Sequence, residues 1–358
     1  MDRCILPLEL CDLIIHQLAD TAALSASALV CRGWLPSARA CRFRTLVLDR
    51  PGAAKRYWAN VKRIRSFVRR LDIRCERSSW ITWQDEHAYL LPLLAQLRNV
   101  EHVELTGVDL VWQPDPVRVA LVALLWAPTT RSVVFRNGTV LPADFSALLG
   151  SATKSVQLLD VSIDVGDDQG VVCGLPETRA HLQSLRIAGN DLDYVVDGLA
   201  GHLRDIQTLS IRCSPDDLFM VEPLLLEAQT LQSLEVELST DSTTVIAAAR
   251  YDCVQRVLTV HLSTAPAADQ DRVACLRAFE RLGKLLPSAD VMSLRVNIGA
   301  KWPGINVFIA RMISALAPED VELFVAGKVL PASVLMPKSK MAAQKLAMNT
   351  AQTLAVAA

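Results

Sequence analysis

Residues 182–192 read LQSLRIAGNDL, and their spacing decides the fold. Leu185 and Ile187 flank one polar residue, which is the period-two alternation of a half-buried strand. Gly189, Asn190 and Asp191 then break the strand, and Leu192 returns to the apolar side. The same apolar-x-apolar core recurs along the chain. It begins at Leu46, Leu71, Val103, Val133, Leu159, Leu185, Leu209, Leu234, Leu258, Leu294 and Leu323. These eleven starts lie 24 to 36 residues apart. A near-constant period of this length marks stacked supersecondary units, each too small to bury its own apolar face alone. Between the predicted strands, residues 115–126, 193–203, 216–228, 269–286 and 305–317 have helical spacing.

The run from Leu182 to Leu192 resembles the leucine-rich repeat LxxLxLxxNxL without a mismatch. Residues 100–110, VEHVELTGVDL, lack only the Asn, and residues 231–238, LQSLEVEL, match the strand half. The resemblance implies an α/β leucine-rich-repeat-like solenoid over residues 46–335, with parallel strands on a concave face and helices on a convex one. If the apolar pairs point inward, the interleaved residues and those that follow line the concave surface. Arg186, Arg212, Glu235, Glu237, His261, Arg295 and Asn297 are then the candidates for holding a protein substrate. A slip of one residue in register would exchange the two faces. Trp80, Trp83 and His87 fall in an irregular stretch, residues 76–92, expected to be an inserted loop and helix.

Residues 6–34 read differently: LPLELCDLIIHQLADTAALSASALVCRGW. Leu10, Ile14 and Leu18 at i, i+4 and i+8 predict a helix, with Leu13 and Ile15 widening the stripe. Pro7 suits its first turn, and Asp20 or Thr21 caps a second helix carrying Leu24, Ala28 and Leu29. About forty residues in short helices cannot bury this much Leu, Ile and Trp among themselves. Some of that surface must face the rest of the chain or a second protein.

In order and in placement, these residues resemble an F-box: LPxE, the Ile/Leu helix, and the later LVCRxW element. The family motif maps onto Leu6, Pro7, Glu9, Ile14, Leu18, Leu24, Leu29, Val30, Cys31 and Trp34. The resemblance implies an F-box in residues 1–45 that binds a Skp-type adaptor and, through it, the cullin of a ubiquitin ligase. With the repeats it implies a substrate receptor that does no covalent chemistry and works by proximity. The alternative is a repeat scaffold in which the N-terminal helices only cap the first repeat.

The remaining composition fits an intracellular binding protein of the cytoplasm or nucleus. The 358 residues carry a formal net charge of −1 and nine Cys with no CxxC, read as reduced, packed thiols. No signal peptide or run of 18 apolar residues is visible, so no membrane partner is expected. The phosphate-binding, nucleophile-elbow and zinc-helix motifs are absent, and the six His have no ligand spacing to any Cys. No catalytic residue, cofactor or metal is therefore expected. Residues 51–75 form a basic collar with eight Lys or Arg against one Asp. Lys55, Arg56, Lys62 and Arg63 share one face of a helix predicted over 55–67, either as a docking face for an acidic or phosphorylated partner or as a solvated surface. The acidic balance of the rest opposes nucleic-acid binding beyond the collar. The Ala-rich tail, 336–358, is expected to be frayed or disordered.

Overall fold

Most of the predicted apolar pairs fall in strands, and within each unit the strand registers stack them into rows. The computed structural model describes residues 6–18, 20–50, 52–75, 87–111, 113, 115–149, 153–164, 182–189, 192–199, 203–228, 230–239, 245–263, 273–275, 277–278, 293–298, 320–325 and 328–330. Trp80, Trp83, the expected helix over 305–317, most of that over 269–286 and the tail lie outside them. The chain is an α/β protein with a mostly parallel sheet, and it divides into two units.

The first unit, Met1–Arg186 with Asp197–His202, opens with α1 (Leu8–His16), α2 (Thr21–Val30) and α3 (Leu35–Arg42). Then come β1 (Thr45–Leu48), α4 (Ala53–Trp58), α5 (Val61–Ile64), β2 (Arg70–Arg74), α6 (His87–Gln96) and β3 (His102–Thr106). It continues through α7 (Asp115–Leu125), β4 (Ser132–Val140), α8 (Pro142–Leu149) and β5 (Ser155–Ile163). The five strands lie parallel in chain order, each return made by helix. Leu46, Leu71, Val103, Val133 and Val156 share one row, and Leu48, Ile73, Leu105, Phe135 and Leu158 the next. All ten are buried. Rows of this kind are expected where each strand-and-helix segment packs mainly against the segments before and after it.

Four expectations need correction. The predicted start at Leu159 is out of register, since Val156 pairs with Val133 and Leu159 is half-exposed. Asn137 (φ 51) and Asp160 (φ 53) are left-handed, and each lies between the matched pairs Arg136–Leu159 and Gly138–Val161. Both strands therefore change parity together, after which Val140, Val161 and Ile163 become the buried residues. Asn and Asp tolerate this backbone better than other side chains, which makes the paired kink possible. The helix predicted over 55–67 is two, α4 and α5, parted at Ala59–Asn60. The Asn60 side chain donates to the Arg56 carbonyl at 3.4 Å, competing with the helical backbone.

The third and fourth corrections lie in the second unit, Ile187–Val196 and Leu203–Ala358. β6 (Ser184–Ala188) and α9 (Leu192–Leu199) fall across the division between the units. Beyond them come β7 (Thr208–Cys213), a 3-10 turn at Asp217–Val221, α10 (Glu222–Glu227), β8 (Ser233–Ser239), β9 (Val245–Asp252) and β10 (Val257–Leu262). β11 (Ser293–Ile298), β12 (Asp320–Val325) and β13 (Lys328–Leu330) follow. The expected parallel sheet is interrupted by β9, which runs antiparallel between β8 and β10 where no element was predicted. β13 is antiparallel to β12 as well. Ala247, Ala249 and Tyr251 continue the buried rows of Leu238, Val236 and Leu234. The Asp252 carboxylate accepts from the amides of Val254 and Gln255, at 3.0 and 2.9 Å, and Arg256 (φ 56) completes the turn into β10. In β12 the start moves two residues, as Val321 rather than Leu323 pairs with Leu294.

Between α7 and α8 the helical layer holds one buried charge pair. Buried Arg118 lies 2.9 Å from Asp115 Oδ1 and 3.9 Å from Asp144 Oδ2. Asp144 Oδ2 is buried without a hydrogen-bond partner among the described residues. Burial raises the Asp144 pKa above its usual value of 3.8, and Arg118 only partly offsets this. The folded state thus holds the Asp144 proton more tightly than the unfolded chain. Stability falls as pH rises from 3.8 through the raised pKa, and the loss persists at neutral pH. Asp144→Asn should raise the thermal midpoint at pH 7, and the gain should vanish towards pH 3. A midpoint lowered at both pH values would show that the Arg118 contact outweighs the burial.

Candidate functional site

Three short helices form a module with a core of its own. The Pro7 carbonyl accepts the amides of Leu10 and Cys11 at 3.1 Å, so Pro7 caps α1 from just outside its first turn. The Asp20 carboxylate caps α2, accepting from Ala22 and Ala23 at 3.2 and 3.0 Å. Ser37 Oγ donates to Asp12 Oδ1, and Cys41 Sγ lies 3.1 Å from His16 Nδ1, which ties α3 to α1 at two points. Ile15, Leu24 and Ala38 are buried at the centre, with Leu18, Ala28, Trp34 and Cys41 packed around them.

The predicted stripe on α1 separates into two faces. Cys11 and Ile15 point inward, whereas Leu10, Leu13 and Ile14 are exposed. Adjacent residues on a helix sit about 100° apart, so filling the inward slot with Cys11 and Ile15 turns Leu10 and Ile14 out. Leu6, Leu8, Leu29 and Val30 are exposed as well, Leu29 at 87%. A Cβ placed on Gly33 would meet Leu8 Cδ2 at 3.1 Å and Cys31 Sγ at 3.7 Å. The start of α1 therefore lies beside the turn that follows Val30. A helix apolar on both sides is normally covered on both sides, and contiguous exposed apolar groups of this kind mark interaction sites.

Of the residues matched to the motif, Leu6, Pro7, Glu9, Ile14, Leu29 and Val30 are open to solvent. Leu18, Cys31 and Trp34 are half-buried, and Leu24, at 5% exposure, is a core residue. Trp34 Nε1 is buried with no hydrogen-bond partner among the described residues, so its ring contributes by packing. Leu8, Leu10 and Leu13 belong to the open face although the motif does not include them. Their signal was present in the sequence, as Leu or Ile on every side of one helical turn.

The residues expected on the concave face do alternate with the buried rows, and many of them pair across strands. Arg212 Nε donates to Glu237 Oε2 at 2.6 Å, and Ser210 Oγ donates to Glu235 Oε2 at 3.2 Å. Arg295 Nε is 2.8 Å from Glu322 Oε2, and Asn297 Nδ2 is 3.3 Å from His261 Nδ1. Arg186 is half-buried on β6. In the first unit, Glu104 pairs with Arg70 and with Arg136 (3.1 Å), while Arg74 clasps both oxygens of Asp72. Asp72, at 2% exposure, is the charged residue most deeply set in this face. Half-exposed pairs of this kind contribute little each. A double-mutant cycle on Arg212→Met and Glu237→Gln should return a coupling of about 0.5–1 kcal/mol, read from urea midpoints.

The thiols Cys11, Cys75, Cys213 and Cys275 are buried. Burial pushes the pKa values of Cys75 and Cys213 up to about 12, which holds them protonated and unreactive at neutral pH. Among the described residues no group of three His, Cys, Asp or Glu could hold a metal ion, and no helix is long and apolar enough to cross a membrane. No family model matches the chain, and no curated protein matches it either.

Proposed function

We propose that the N-terminal helices act as an F-box, docking a Skp-type adaptor and through it a cullin ubiquitin ligase, while the repeats hold a protein substrate. One observation carries this reading. Seven large apolar residues, Leu6, Leu8, Leu10, Leu13, Ile14, Leu29 and Val30, stand exposed on a module whose own core is already filled. A helix that served only as a cap would direct its apolar groups against the first repeat, so the open face favours a partner protein over the scaffold reading. Catalysis would then reside in the recruited ligase, which raises the local concentration of the conjugating enzyme near a bound substrate. This role places the protein inside the cell, in cytoplasm or nucleus. The test is co-expression of the full chain with a Skp-type adaptor, followed by affinity capture. Stoichiometric recovery of the adaptor is expected. A folded chain that captures none withdraws the ligase assignment and leaves the repeat scaffold.

A further inference from the structure

The residues immediately before the first five strands form a ladder of their own. The Arg69 amide donates to the Arg44 carbonyl at 2.9 Å, and the Glu101 amide to the Arg69 carbonyl at 2.7 Å. The Arg131 amide donates to the Glu101 carbonyl at 2.8 Å, and the Lys154 amide to the Arg131 carbonyl at 2.9 Å. Four of these five rungs are cationic. The loops on the same edge add exposed Arg65 and Arg98, brought together with the ladder from positions far apart in the chain. Acids collect beyond the opposite ends of the strands, where Asp49, Asp109 and Asp164 follow β1, β3 and β5 and the cations are Arg50 and Arg74. The chain as a whole is near neutral, so this edge is a local excess rather than a reflection of composition.

The excess is also poorly neutralised. Arg69 Nε lies 3.5 Å from Glu101 Oε1, but Arg44, Arg131 and Lys154 are exposed and have no ion pair among the described residues. Strand spacing puts neighbouring rungs about 4.8 Å apart, so the row spans about 20 Å. That spacing is inside the Debye length of about 8–10 Å, so the fields of the rungs add. Guanidinium groups suit planar carboxylates, which they bind through two parallel hydrogen bonds.

We propose that this basic edge of the first unit is a docking strip for an acidic polypeptide segment, rich in Asp and Glu, lying across the starts of β1 to β5. A protein segment fits better than a nucleic acid for two reasons. Single-stranded nucleic acid binding draws on exposed aromatic platforms, and the aromatics at this edge, Phe43, Phe67 and Trp126, are partly buried. Glu101 also interrupts the middle of the row, where a polypeptide can present a neutral residue but a phosphate backbone keeps its charge. The strip does not depend on the ligase reading, and its loss should leave adaptor capture unchanged.

The test uses the full chain and a fluorescent peptide of about ten alternating Glu and Ser residues, long enough to cover the row, in about 50 mM salt. Arg131→Glu with Lys154→Glu should weaken binding at least tenfold, whereas Lys55→Glu with Arg56→Glu, on α4 after the opposite end of β1, should change it less than threefold. All four side chains are exposed, so both variants should keep the parent melting curve. Absence of peptide binding, equal weakening by the two variants, or tighter binding of a single-stranded oligonucleotide of matching charge would each overturn the proposal.

Discussion

Leu29→Asp should leave the thermal midpoint where it is and still abolish capture of the adaptor. The side chain is 87% exposed at the end of α2, so a charge there needs no desolvation and should shift stability by less than about 0.5 kcal/mol. In a docked complex the same carboxylate would be buried without a partner. A loss of at least about 2 kcal/mol in binding is expected, or roughly thirtyfold in affinity, and adding Leu13→Asp should deepen it. Leu24→Asp is the contrasting variant. At 5% exposure Leu24 packs with Ile15 and Ala38, and a carboxylate there should cost about 3–5 kcal/mol and unfold the module. If Leu29→Asp melts the protein, the outer face is structural. If it melts nothing and the adaptor still binds, the F-box reading fails on its own terms.

The second large effect is expected at Gly107. Its φ of +67° is in the left-handed region, and a Cβ would lie 2.1 Å from the carbonyl oxygen of Cys75. That oxygen belongs to backbone and cannot turn aside as a side chain would. The Gly107 amide donates to the Arg136 carbonyl at 2.8 Å, and the Cys75 amide donates to the Thr106 carbonyl at 2.8 Å, so three neighbouring repeats are locked at this point. Gly107→Ala must break one of these contacts. It should cost more than about 3 kcal/mol, a large share of the roughly 5–15 kcal/mol that holds a typical domain. Gly52→Ala separates the two causes. Gly52 also has positive φ (+83°) but nothing lies within 4 Å of the added atom, so only the backbone term of about 1–2 kcal/mol should appear. Urea midpoints at unchanged slope would measure both. Equal losses would mean that conformation rather than close approach governs Gly107.

Most of the architecture was legible in the chain because one physical demand repeats. An inward row must be apolar at every second residue in every unit, so Leu185 and Ile187, or Leu209 and Ile211, announce strand, face and register together. Where that demand weakens, so does the reading. β9 is written VIAAARYD, and Ala carries little strand preference. Its conformation is imposed by pairing with β8 on one side and β10 on the other. Leu159 misled because its apparent alternation with Val161 spans the left-handed Asp160, and a backbone kink leaves no mark on a count of apolar residues. The division of α1 into an inner and an outer face was left open by the chain for a related reason. Leu10, Cys11, Leu13, Ile14 and Ile15 surround the helix, and a periodicity cannot say which side a neighbour will cover.

The sequence by itself determined the period of the repeats, the alternation of their strands and the helical character of the N-terminal module, since these rest on local spacing and on burial shared by adjacent units. Tertiary structure alone decided that Ile15 and Leu24 close the module's core while Leu29 stays open, and that Arg44, Arg69, Arg131 and Lys154 stand in one row. Those residues are brought together only when parallel strands stack, and stacking converts a separation of tens of residues into one of about 5 Å per rung.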